Sequence, residues 1–172
     1  FLIRRTLERA TGIIVEGEFV KEQFSFLKGY KEKISCVTNG LPKRSIKAAK
    51  QPKEIDPDKP FQLIYLSNMI RSKGYWDVLK ALKILRDRKR DVVCRFAGKF
   101  MSDCEADTSP ERSKQDFFNY IEDNMLADRV SYAEGLLGRE KFDAFCESHL
   151  FLLPTNYLHE GQPVSILEAM AH

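Results

Sequence analysis

The chain has 172 residues, 43% of them hydrophobic and 31% charged, with a formal net charge of +3. That length holds one ordinary domain with a sizeable core, or pieces of two. The charge is too mild to imply a nucleic-acid partner, and no apolar run approaches the roughly 20 residues of a membrane-spanning helix.

Phe1 opens the chain inside the helical pattern "FLIRRTLERA" and His172 closes it inside another, so an internal piece of a longer protein is expected. "TGIIVEG" (11–17) is a β-branched run between turn signals and predicts a buried strand. Residues 18–28 predict a helix with Phe19, Val20, Phe24 and Leu27 inward, ended at Lys28-Gly29. "KISCV" (33–37) predicts a second strand, closed by the Asn39-Gly40 turn.

Residues 41–60 are rich in Lys and Pro and poor in large apolar side chains, as in a linker or exposed insertion. Their basic run, Lys43, Arg44, Lys47, Lys50 and Lys53, reads as a solvated surface, with peripheral membrane contact as the alternative. Asp56-Pro57-Asp58 mimics a metal-binding D-x-D, but no strand precedes it and a turn is the better reading.

A regular alternation follows. Strands are predicted over 61–67, 92–98, 129–135 and 149–155, and helices over 74–88, from Ser109-Pro110-Glu111 to about Met125, over 138–147 and over 163–171. Tyr75, Val78, Leu79, Leu82 and Leu85 share one face of the first of these helices. Strands interleaved with helices imply a parallel, doubly wound α/β sheet, whose ligands sit beyond the carboxyl ends of the strands. The chain then divides into 1–40, a linker at 41–60, and a domain over 61–172. Cys36, Cys94, Cys104 and Cys146 show no C-x-x-C or disulfide-like spacing. Cys36 and Cys94 fall in strands, as small apolar residues in a reducing compartment, the cytoplasm by default.

Two loops carry candidate chemistry. In "LSNMIRSKGYWDVL" (66–79), Arg71 and Lys73 lie over the end of a strand, ready for a phosphate or merely solvated. In "NYLHEGQPVSILEAMAH" (156–172), Glu160 precedes a Gly-Gln-Pro turn and Glu168 sits in an otherwise apolar helix. Pro163 suits the first helical position. Val164, Ile166, Leu167 and Met170 would cover most of that helix, leaving Glu168 little access to water. Glu168 stands five residues past Pro163, roughly 7.5 Å along a helix axis. A diphosphate at 161–164 would therefore place a ribose near Glu168, which can accept two vicinal hydroxyls. The plain alternatives are a lysine or arginine partner for Glu168 and a solvated loop acid at Glu160. His149 reads as structural, and His159 adjoins Glu160. There is no zinc spacing, G-x-S-x-G, Walker lysine or G-x-G-x-x-G.

"LPTNYLHEGQPVSILEAMAH" resembles the E-x7-E signature of retaining family 4 (group 1) glycosyltransferases, which pair two Rossmann-like domains across a cleft. "LSNMIRSKGYWDVLKAL" resembles the loop and helix that open their C-terminal domain, and "TGIIVEGEFVKEQF" with "ISCVTNGLP" the end of their N-terminal domain and the crossover. The resemblance spans all but 41–60. It implies a hexosyltransferase that moves sugar from a nucleotide-diphosphate donor to a glycan or lipid-linked acceptor, with retention, in surface polysaccharide or glycolipid synthesis. The alternative is a non-catalytic nucleotide-sugar-binding or regulatory module of the same fold. A structural scaffold with a protein partner is a third class, opposed by Glu160, Glu168 and Lys73 together. By resemblance Glu168 would hold the ribose, Glu160 the donor sugar, and Lys73 the diphosphate. Backbone at Gly161, Gln162, Pro163 and Val164 would meet sugar and phosphate, and Ala133 to Gly135 the base. The family often has Arg after the first strand, where this chain has Ser67-Asn68. Arg71 would supply that charge from a different place, beside Asn68. The resemblance implies no metal and no cofactor beyond the donor, and a cytoplasmic protein that can work at the inner face of the membrane.

Overall fold

A computed structural model describes residues 2–41, 53–102, 108–158 and 160–172, with Leu2 and Ile3 as backbone. His159, Cys104 and the basic residues Lys43, Arg44, Lys47 and Lys50 lie outside the described residues. The described elements are, in order, α1 (Leu2–Arg9), β1 (Ile13–Val15), α2 (Glu18–Glu22), α3 (Tyr30–Lys33), β2 (Ile34–Cys36), β3 (Phe61–Leu66), α4 (Tyr75–Asp87), β4 (Val92–Ala97), α5 (Pro110–Asp123), β5 (Val130–Ala133), α6 (Gly138–Glu147), β6 (Leu150–Phe151) and α7 (Val164–Met170).

Two parallel sheets result. β1 pairs with β2, Ile14 opposite Ser35. The second sheet runs β5-β4-β3-β6, all parallel, with Leu63 opposite both Cys94 and Leu150. Leu63, Ile64 and Tyr65 are consecutive and all buried, because helices cover both faces of β3. Leu63 and Tyr65 pack with Tyr75, Val78, Leu79 and Leu82 of α4 and with Phe117 and Ile121 of α5. Ile64 and Ala97 pack on the opposite face with Ala144 and Phe145 of α6 and Ala169 of α7. This is the doubly wound, Rossmann-like α/β arrangement expected from the alternation.

Several boundaries differ from expectation. The helix expected over 18–28 stops at Glu22; turns follow, and α3 begins after Gly29, whose φ of 64° is left-handed. Phe19 is consequently 76% exposed, whereas Leu27 is buried. The strand expected over 149–155 pairs only at Leu150–Phe151 before the chain turns toward the site. Pro163 stands just before α7 with ψ of 116°, outside the helix, and not in its first turn. α5 starts as expected: Ser109 Oγ accepts from the Arg112 N–H at 3.2 Å, with Pro110 next.

The D-x-D mimic is a turn, closed by the Asp58 N–H donating to Asp56 Oδ1 at 3.0 Å. His149 is structural: Nδ1 accepts from the Gln62 N–H at 2.9 Å and the ring stacks on Phe61. Lys53, expected on a solvated surface, instead donates to the carbonyls of Phe145 and Ser148 at 2.5 and 2.6 Å, closing the end of α6. Cys94 is a core residue, and burial pushes its thiol up to about 12.

Candidate donor site

The site forms where the loops after β3 and β6 meet. Residues 67–74 cross the carboxyl end of the sheet, held by the Ser67 N–H on Ala97 O at 3.1 Å and the Met69 N–H on Lys99 O at 2.9 Å. Arg71–Lys73 make one tight turn, which Gly74 ends at φ 85°. The Asn156 N–H donates to Ser72 O at 2.8 Å, tying the loop after β6 to this turn. Beneath them the Tyr65 hydroxyl lies 3.3 Å from the carbonyls of Asn68 and Lys73. Burial raises the pKa of Tyr65, so its proton stays available for those carbonyls.

This scaffold brings Lys73 to Glu160, 87 positions away in sequence. Their Nζ and Oε1 are 3.2 Å apart, with side chains 14% and 18% exposed. The Thr155 hydroxyl lies 3.3 Å from Glu160 Oε2, and the Lys73 ammonium sits 5.2 Å from the centroid of the Tyr157 ring. Glu160 is therefore not a free loop acid but is held on both carboxylate oxygens. An ammonium largely withdrawn from water and paired with a carboxylate, at the mouth of a parallel sheet, can exchange that partner for an arriving anion.

Glu168 occupies a second pair. Its carboxylate meets Lys141 Nζ of α6, with side chains 14% and 29% exposed. The expected covering of α7 holds for Leu167, which is half-buried, and for the sheltered Glu168, but not for the other three apolar residues. Val164, Ile166 and Met170 are exposed, Met170 at 81%, while the glutamate is sheltered because Lys141 stands against it.

The remaining residues are distributed around these pairs. Arg71 does not join Lys73; its guanidinium stacks on Trp76 at 4.8 Å. Asn68 is exposed, with its carbonyl near Tyr65. Ala133 O accepts from the Gly98 N–H at 3.0 Å at the end of β5, and Gly135 lies exposed beyond it. Gly161 and Gln162 face Glu16 and Asn39, contributed by the loops after β1 and β2. Lys141, Thr155, Tyr157, Glu16 and Asn39 were missed from sequence. Only Asn39 carried a local signal, and that signal was for a turn. Among the described residues no cluster of His, Cys, Asp and Glu could hold a metal ion.

The family model of glycosyl transferases group 1 matches residues 46–172. The chain belongs to that family. No curated protein matches this group 1 glycosyltransferase chain in sequence. Among solved structures it is similar to HepE of Anabaena in complex with UDP and glucose, at 15% identity and a TM-score of 0.75, over 99% of this chain and 45% of that one. It is also similar to the pneumococcal O-GlcNAc transferase GtfA in complex with UDP and GlcNAc, at 18% identity and a TM-score of 0.71, over 99% of this chain and 30% of that one. A glycosyltransferase from Rickettsia africae gives 15% identity and a TM-score of 0.71, over 99% and 45%. At these identities the likeness is one of fold. The chain spans less than half the length of each of these relatives.

Proposed function

We propose that this chain carries the donor side of a hexosyltransferase that moves a sugar, with retention, from a nucleotide-diphosphate sugar to a glycan or lipid-linked acceptor in surface polysaccharide or glycolipid synthesis. The observation that carries the reading is the meeting of Lys73 and Glu160 beyond the carboxyl ends of β3 and β6, in a chain of this family. Two of the similar structures hold UDP with a sugar, which supports a nucleotide sugar here as well.

In this reading Lys73 turns from Glu160 to the diphosphate and neutralises the charge that grows on the leaving group as the glycosidic bond breaks. Glu160, released from Lys73, meets hydroxyls of the donor sugar. Glu168 shares its carboxylate between Lys141 and the ribose hydroxyls. Arg71, stacked on Trp76, and Asn68 stay at the rim, and Ala133 and Gly135 offer backbone to the base. No metal or other cofactor enters the reading. Among the described residues no helix is long and apolar enough to cross a membrane. A lipid-linked acceptor would be met at the cytoplasmic membrane surface.

The test is a thermal-stability titration of the full-length protein with UDP-glucose, UDP-N-acetylglucosamine, GDP-mannose and ADP-glucose, beside Glu168→Ala. At a hundredfold excess over Kd one donor should raise the wild-type melting temperature by about 3–5 °C and leave the variant nearly unmoved. A folded wild type that responds to none of the four would overturn the donor reading.

A further inference from the structure

Gln162 lies in the short segment between Glu160 and α7, and it is gripped from outside that segment. The Asn39 backbone N–H donates to Gln162 Oε1 at 2.6 Å, and Asn39 Nδ2 donates to the Gln162 carbonyl at 2.9 Å. The Gln162 N–H in turn donates to Glu16 Oε2 at 3.3 Å. Because β1 and β2 are parallel, Glu16 and Asn39 both leave the carboxyl end of that small sheet and reach the same residue.

The two grips are unequal. Asn39 makes two short bonds in a half-buried setting, to the side-chain oxygen and the carbonyl of Gln162, and leaves its amide N–H untouched. Glu16 makes one longer, exposed bond, and it uses the amide itself. Its carboxylate also lies where a side chain on Gly161 would begin, 2.3 Å from an ideal Cβ. An N–H donates one good hydrogen bond. A donor oxygen that reaches this amide therefore has to displace Glu16, while the Asn39 bonds stay in place.

We propose that Asn39 is a positioning residue for the donor site, fixing the Gln162 backbone beside Glu160, and that the Glu16 carboxylate is an internal competitor for the Gln162 amide. This rests on the donor reading above. It makes the two residues of one clasp act in opposite directions. Asn39→Asp keeps shape but removes the Nδ2 donor and sets a carboxylate against the Gln162 carbonyl. Glu16→Gln keeps shape and removes the charge that holds the amide.

The experiment measures equilibrium Kd on the full-length protein by calorimetry. The ligand is whichever of UDP-glucose, UDP-N-acetylglucosamine, GDP-mannose and ADP-glucose binds the wild type most tightly. Asn39→Asp should weaken binding about tenfold or more, as expected for a lost and reversed hydrogen bond. Glu16→Gln should tighten it by about threefold or more, and adding it to Asn39→Asp should recover part of the loss. A clasp that is merely structural would move both variants the same way, and that result overturns the proposal. So does a Kd for folded Asn39→Asp within twofold of wild type. If Asn39→Asp does not fold, Asn39→Ala removes the same donor without adding charge and is read by the same criteria. A wild type that binds none of the four ligands overturns the donor reading and this proposal together. Wild-type binding with unchanged variants overturns this proposal alone.

Discussion

A carboxylate that is 14% exposed in an apolar helix needs a partner, and for Glu168 that partner is Lys141. The pair is partly screened, so its net worth is modest, but removing one member strands the other. Lys141→Met should therefore lower stability by about 1–2 kcal/mol, or about 2–8 °C in melting temperature. Lys141→Met combined with Glu168→Gln should recover most of that loss, because the stranded charge is gone. Thermal denaturation of the two variants checks this, and a single variant as stable as wild type would mean that other groups already satisfy Glu168. Glu160 has a different position. With Lys73 on one oxygen and the Thr155 hydroxyl near the other, it is held where two loops meet.

At the scale of elements, what places Lys73 is the single turn Arg71–Lys73 and the glycine that stops it. Gly74 has a left-handed φ of 85°, and a Cβ there would lie 2.3 Å from Pro154 O and 2.8 Å from Pro154 Cγ. One is a backbone oxygen and the other a proline ring atom, so neither can move aside cheaply. Gly74→Ala should cost about 3 kcal/mol or more, from strain and overlap together. That is about 6–12 °C in melting temperature, with weaker donor binding in the folded protein, since the loops carrying Lys73 and Glu160 are pushed apart. Calorimetric melting and donor titration of the variant test both parts; an unchanged melting temperature would contradict the packing described. Gly98 has the same function one strand over, where a Cβ would overlap Ser67 O.

Over the whole molecule, the two faces of the four-stranded sheet are not equal. The face toward α4 and α5 holds a connected set of aromatic rings centred on Phe117, which is fully buried and touches Tyr75, Phe96, Phe100, Phe118 and Tyr132. The opposite face is filled by smaller groups, Ala97, Ala144 and Ala169, around Ile64 and Phe145. Phe117→Ala should therefore cost about 3–5 kcal/mol, in the upper range of core truncations. Chemical denaturation should show a lower midpoint at unchanged slope, and a cost under about 1 kcal/mol would show that α5 is not fastened through this ring.

The alternation of strands and helices, their parallel sense and the eight-residue spacing of Glu160 and Glu168 could be read along the chain. Each depends on local periodicity or on steric rules that act over a few residues. Exact ends were less legible. The helix after β1 breaks at Glu22 and β6 pairs over two residues, because tertiary packing and loop destinations decide where a weak local preference stops. The identity of each carboxylate's partner lay wholly beyond sequence. Lys73 meets Glu160 across 87 positions and Lys141 meets Glu168 across 27. Asn39 reaches Gln162 across 123. No spacing rule connects such residues. Strand order and the loops at the carboxyl ends of the strands bring them within hydrogen-bond range, and only the folded chain carries that information.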